Sequence, residues 1–367
     1  MTFVFGRPGA TNKRFFRKST LPHAPRLAVF AFFLSYAALG AQTPEAVATL
    51  VNRTGIVLSE STGKVYAVDR SHDSVAVIDE SGATKTIKVG VGPEALAMNN
   101  RTGMLYVANS GDKTVSVIDS RTDAIVATIP TPARAYAIAS DDTANKVYVS
   151  LTFSNLLTVI DGKTNTASDI KTGSADAILV DAKRKQIYLL GYESDALTVV
   201  NTETQAISKL PAGALHLWGL AQSERTLFVS HIQDSSIAAI DVETKSIRKI
   251  DTGAMPSAIA VDSTTGNVFV ANYGDGSVTI IDGGIGKVLA TITVGEHPQA
   301  IAIDASRGVA YVANAADNTV TLIDEATRRA IKTVKAGDHP YALVVDPKTH
   351  TAYAANLGST AFTVLGN

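Results

Sequence analysis

Residues 309–324 read VAYVANAADNTVTLID, and close copies stand at 104–119 (MLYVANSGDKTVSVID) and 267–282 (NVFVANYGDGSVTIID). The aromatic in third place recurs as Tyr66, Tyr106, Tyr148, Tyr188, Phe228, Phe269, Tyr311 and Tyr353, at spacings of 40, 42, 40, 40, 41, 42 and 42 residues. A fixed period in this range marks a repeat architecture. Eight units tile the chain from about residue 46 to its end, which leaves one domain over 41–367 and no room for a second.

Each unit holds four short apolar runs separated by turn residues, as in QAIAID, VAYVAN, TVTLID and AIKTVKAG of unit seven. Runs of this length rich in Val, Ile, Thr and Tyr between Gly, Asp, Asn and Pro are strands, and no segment sustains a helical period. Four strands in about 40 residues is the content of a β-propeller blade. Ala and Val fill both phases of strands such as YVAN, as expected where stacking blades cover both sheet faces. The reading is an all-β propeller of eight four-stranded blades, with seven as the alternative if one terminal unit is not a full blade. The last unit stops after its third strand, AFTVLGN, so AVATLVN (46–52) is expected to supply the missing outer strand and close the ring.

The string [YF]-V-A-N-x5-V-x-x-I-D, followed by T-x-x-[AV] and V-G-x-x-P-x-A-[IL]-A, resembles the YVTN β-propeller repeat family, the YncE-like exported bacterial proteins. The resemblance runs from about residue 46 to the end, strongest in units two, six, seven and eight. It implies a periplasmic or secreted propeller. Related propellers include lactonases and quinoprotein-like domains.

The N-terminus supports export. Arg7, Lys13, Arg14, Arg17, Lys18 and Arg26 precede the apolar run LAVFAFFLSYAALG (27–40), and the first 40 residues contain no acid. A basic region followed by a short apolar run is a secretory signal; Ala38-Leu39-Gly40 fits the cleavage rule, and an uncleaved anchor is the alternative. Cleavage would leave no stable membrane span. It would also remove six of the 33 basic residues, so 27 face 34 acids, a net charge of −7. Such a domain is unsuited to nucleic acid, whose binding rests on Lys and Arg displacing phosphate counterions. There is no cysteine for a disulfide, thiolate metal site or thiol nucleophile. A monomer is expected, and no cofactor.

The polar residues that repeat are read as structural. Asp79, Asp119, Asp161, Asn201, Asp241, Asp282 and Asp324 each end a third strand and head a tight turn, where an Asx side chain accepts backbone N–H groups. Asp262, Asp304 and Asp346 end first strands and receive the same reading. Function is sought where units depart from the repeat. Propeller topology brings the crossing turn before each first strand and the loop after each second strand to one mouth of the central channel, the default ligand pocket. From this face the ligand candidates are Tyr136, Asp176, His216, Trp218, His231, Asn272, His297, Gln299, Asn314, His339 and Tyr341. His297 and His339 fill the same slot in adjacent units; His216, Trp218 and His231 cluster in unit five. Imidazoles are proton shuttles and metal ligands, so a metal or electron-transfer role stays open. Enzyme signatures are thin: no G-x-S-x-G, no WD dipeptide and a single Trp. A binding scaffold is the first reading. The alternative is a lactonase-type hydrolase using Glu94, Arg134 and His297.

Overall fold

The computed structural model describes residues 54–358 and 362–365. It contains eight antiparallel sheets, seven of four strands and one of three among the described residues. The inner strands are Ile56–Leu58, Pro93–Asn99, Ala135–Asp141, Ala177–Asp181, Leu217–Ser223, Pro256–Val261, Pro298–Asp304 and Pro340–Val345, and these number the blades 1 to 8. Each inner strand neighbours that of the next blade, and the blade 8 strand lies beside that of blade 1, so the ring is an eight-bladed propeller. The seven-blade alternative is thereby removed. Residues 1–40, expected as the signal, and 46–52, expected as the closing strand, lie outside the described residues.

The repeat aromatic explains itself in the seams. Tyr106 of blade 2 packs among Ala135, Val147 and Val149 of blade 3, and Phe269 of blade 6 among Ala310, Val312 and Ile323 of blade 7. Tyr353 of blade 8 meets Ile56, Val65 and Ala67 of blade 1. Every blade thus inserts the ring of its second strand into the next blade, and six of these eight side chains are less than 2% exposed. A ring that size cannot be truncated without leaving a cavity, which is why the marker stays aromatic in every unit. Outer strands such as Ile207–Pro211 bury one residue in five. They form the rim and tolerate Lys, Arg, Asp and Thr.

The third-strand acids behave as turn caps. Asp161 Oδ1 accepts from the Lys163 and Thr164 N–H groups at 2.9 and 3.1 Å, and Asn201 Oδ1 from Glu203 and Thr204 at 3.0 and 2.8 Å. The same geometry recurs at Asp241 and Asp282. At Asp161 the backbone donors hold the carboxyl below its ordinary range. One turn does more: Asp123 of blade 2 receives Lys64 Nζ at 2.7 Å and Tyr66 OH at 2.6 Å, and pairs with Lys85, all three from blade 1.

Candidate functional site

The mouth of the channel is built by tying two loops of each blade together. In blade 2, Ser110 and Gly111 donate their N–H groups to Gly92 and Val91 of the crossing turn. Asp112 accepts from Val91 N at 3.0 Å, and Asp275 and Asp317 do the same for Ala254 and Glu296 in blades 6 and 7. The turn then passes through one residue with left-handed backbone: Gly92 (φ 61°), His216 (58°), Met255 (53°), His297 (53°) and His339 (50°). Histidine tolerates this region better than most side chains. In these five blades the slot before the inner strand thus has a backbone reason to accept His, and its side chain projects at the mouth.

Two of these imidazoles lie against a tyrosine from the preceding blade. His297 stacks on Tyr273 with ring centroids 4.2 Å apart and planes 12° from parallel. Burial lowers the proton affinity of His297, the Glu296 and Asp317 charges oppose that, and His339 adds to it. The effect of His339 places the two adjacent-blade histidines in one electrostatic neighbourhood. Burial pushes the Tyr273 phenol up to about 12, so it is a neutral donor at physiological pH. Two blades back around the mouth, His216 packs on Tyr192 at 5.2 Å, and Trp218 meets the same ring edge-on at 5.9 Å. Tyr192 is held by Gln233 Nε2 on its hydroxyl at 3.1 Å and by its own N–H on Asp176 Oδ2 at 2.8 Å.

Several sequence candidates take other roles. Asn272 and Asn314 are fully buried: their Nδ2 groups bridge Ser277 and Thr279, and Thr319 and Thr321, at 2.9 to 3.0 Å. They pin the second strand to the third through Nδ2, while the Oδ1 of each is buried with no hydrogen-bond partner among the described residues. His231 is 2% exposed and takes the same place in blade 5, donating Nε2–H to Ala212 O at 2.8 Å with Nδ1 3.3 Å from Ser236 Oγ. Burial keeps it neutral. Through these bonds all three act as ties within their blades. Asp176 positions Tyr192, Gln299 Nε2 reaches Pro340 O at 3.4 Å, and the Tyr341 ring fills the space over Gly55, where a Cβ would collide with it. Tyr136 is half-buried.

Glu94, Arg134 and His297 are not brought together. Glu94 is buried and paired with Arg70 Nη2 at 2.8 Å in blade 1. Arg134 is exposed at blade 3, and His297 enters blade 7, four blades away across the ring. Among the described residues no three His, Cys, Asp or Glu side chains lie together as a metal set, and no helix of those residues is long and apolar enough to cross a membrane.

Sequence reasoning missed Tyr192 and Tyr273. Both stand just beyond a second strand, at a position the other units fill with Arg70, Ser110, Thr152, Ile232, Ala315 and Leu357, and their being the aromatic pair in that set was the available signal. A cavity of about 520 Å³ follows the inner strands of blades 8 and 1 to 4, with Ile56, Leu58, Leu96 and Met98 in its wall and Glu60 and Asn100 at the end remote from the mouth loops.

Structural comparison supports the fold. Hydrazine synthase of Kuenenia stuttgartiensis superposes with a TM-score of 0.58 at 18% identity, covering 86% of this chain and 97% of that one. The dihydro-heme d1 dehydrogenase NirN, solved in complex with DHE, gives 0.70 at 16% identity over 84% of this chain and 71% of that one. A computationally designed protein, Ika8, gives 0.69 at 16% identity, covering 86% and 98%. No family model and no curated protein sequence matches the chain. At these identities the likeness concerns the propeller fold alone.

Proposed function

We propose that this chain is an exported propeller of the YVTN type that acts as a binding scaffold, taking a small ligand or a protein partner at the channel mouth along blades 4 to 8. The observation that carries the reading is the pair of ring clusters, Tyr192 with His216 and Trp218, and Tyr273 with His297. In both, the tyrosine or tryptophan departs from the repeat while the imidazole fills a slot that three units give to His, and in both the imidazole is only partly buried. Structure asks each blade for the same residues; a departure that gathers aromatic and imidazole rings at a solvent-facing mouth supports recognition. Neutral His297 can donate or accept one hydrogen bond, and the rings offer flat apolar faces with polar tips.

Export rests on the basic and apolar N-terminal sequence, and the YVTN assignment on the repeat itself. The test is a thermal-shift screen of small molecules and exported-fraction proteins, with each hit re-measured by calorimetry on a combined Trp218→Ala, His297→Ala, His339→Ala variant. Binding is expected to weaken at least tenfold; unchanged affinity places the site elsewhere.

A further inference from the structure

The ring cluster of blades 4 and 5 has a shape that the cluster of blades 6 and 7 lacks. Tyr192 and Trp218 meet with planes 84° apart and centroids 5.9 Å apart, and His216 leans on the same tyrosine at 55° and 5.2 Å. Near-perpendicular rings in edge contact bound a corner whose walls are two π faces. Tyr273 and His297, 12° from parallel at 4.2 Å, instead turn a face of each ring onto the other. All three rings of the corner are partly exposed, so solvent reaches its walls. The tyrosine wall is fixed at both ends: its N–H donates to Asp176 Oδ2 at 2.8 Å, and its hydroxyl accepts from Gln233 Nε2 at 3.1 Å. A wall held in this way is in place before a ligand arrives, which lowers the entropic cost of binding.

The charge around the corner has one sign. The four loops that build it, residues 172–176, 191–195, 212–216 and 232–235, contain Asp176, Glu193, Asp195 and Asp234 and neither Lys nor Arg. Asp234 is paired at 2.8 Å with Lys249 of the outer strand. Asp176, Glu193 and Asp195 join no ion pair among the described residues. Burial raises the proton affinity of the Tyr192 phenol, the Gln233 bond opposes that and the Glu193 charge adds to it, so this carboxylate acts on the ring that forms the wall. Among the described mouth loops the basic residues stand at blades 1 to 3, as Arg70, Lys113 and Arg134.

We propose that the corner of Tyr192, Trp218 and His216 binds a methylated ammonium group, carried by a quaternary ammonium solute or by a methylated lysine side chain. The proposal rests on the reading of the mouth as the recognition face and names the ligand class that its blade 4 and 5 sector takes. The negative face of an aromatic ring attracts a cation seated over it, and carboxylates around a concave site raise the local concentration of cations. A metal ion holds its water shell too firmly to rest on ring carbons. An ammonium wrapped in methyl groups sheds water easily, packs its methyls on both walls and keeps its positive charge over the ring faces.

The experiment is calorimetric titration of choline, of the uncharged alcohol in which carbon replaces the nitrogen of choline, and of a tripeptide with a central trimethyl-lysine. Each is titrated into the full chain and into Trp218→Ala, Trp218→Phe, Tyr192→Phe and Glu193→Gln, at low and high salt. Choline or the tripeptide is expected to bind about tenfold more tightly than the alcohol and to lose about tenfold in Trp218→Ala. Trp218→Phe and Tyr192→Phe keep a π face and should retain most of the affinity, whereas Glu193→Gln and added salt should weaken it. Tighter binding of choline assigns a free solute and tighter binding of the tripeptide a protein-borne group; either supports the corner. Equal binding of cation and alcohol, or no binding of either cation, overturns the proposal, and the mouth reading survives that result if a screened ligand still loses affinity in the Trp218→Ala, His297→Ala, His339→Ala variant. Cation binding unchanged in both Trp218→Ala and Glu193→Gln also overturns the corner.

Discussion

The sharpest stability prediction concerns Asp123, through which blade 2 grips blade 1. Its side chain is 2% exposed and accepts from Lys64 Nζ at 2.7 Å and Tyr66 OH at 2.6 Å, while Lys85, half exposed, pairs with the same carboxylate. Asp123→Asn keeps a short side chain that tolerates the left-handed backbone (φ 55°) and still accepts from Tyr66, but removes the charge facing two ammonium groups. A hydrogen bond to a buried charged group contributes about 1.5 to 3 kcal/mol, and a pair with an exposed lysine about 0 to 1 kcal/mol. The expected loss is about 2 to 3 kcal/mol at pH 7, a fall of several degrees in melting temperature. The lysines and Tyr66 outweigh burial and depress the Asp123 carboxyl in the folded state. A depressed acid contributes stability above its unfolded pKa of about 3.9 and loses it as pH falls through the folded value. Melting curves of both proteins from pH 7 to pH 3 should therefore converge at the acid end. A gap that is absent at pH 7, or that persists undiminished at pH 3, refutes the reasoning.

Other outcomes follow from the same structure. Phe269→Ala, which empties the seam between blades 6 and 7, should cost about 3 to 5 kcal/mol in denaturant unfolding, whereas a loss under about 1 kcal/mol would mean the seam repacks. His231→Asn restores the residue that other blades use and should change stability by less than about 1 kcal/mol, read by calorimetry; His231→Leu, which leaves Ala212 O without its donor, should be worse by about 1 to 3 kcal/mol. His297 should titrate below about 6.5 in an NMR pH series, because burial disfavours its charged form, and Tyr273→Ala should move it upward by letting water in. Since its folded value is depressed, His297 supports stability above the unfolded pKa and that support is lost as pH falls.

The fold was legible because the physics that builds a blade acts eight times on one chain. A single YVAN string is ambiguous; the recurrence of its aromatic from Tyr66 to Tyr353 is not, and the structure puts each ring into a seam. The Asx turns were legible for the same reason, since Asp161 and Asn201 meet one local geometry with one kind of side chain. The site was less so. Asn272, Asn314 and His231 sit at the correct end of their strands for the mouth, but strand alternation turns them inward onto the hydroxyls of the third strand, a matter of side-chain direction that spacing alone did not resolve. Tyr192 and Tyr273 escaped notice because they lie in loops, where no period constrains them. Asp262 caps its turn as expected from sequence, and the bonds that Thr265 Oγ1 and Asn267 Nδ2 of that turn donate to Glu325, 60 and 58 residues away, arise only when the blades stack.

The central claim is that recognition resides in the rings that break the repeat. The most direct measurement is calorimetric titration of a screened ligand into the wild type, the Trp218→Ala, His297→Ala, His339→Ala variant, and an Asn314→Ala control that perturbs a buried tie in the same blade as His297. The account predicts at least a tenfold loss of affinity in the first variant and wild-type affinity in the control. Equal affinity in all three, or a loss confined to the control, would contradict it.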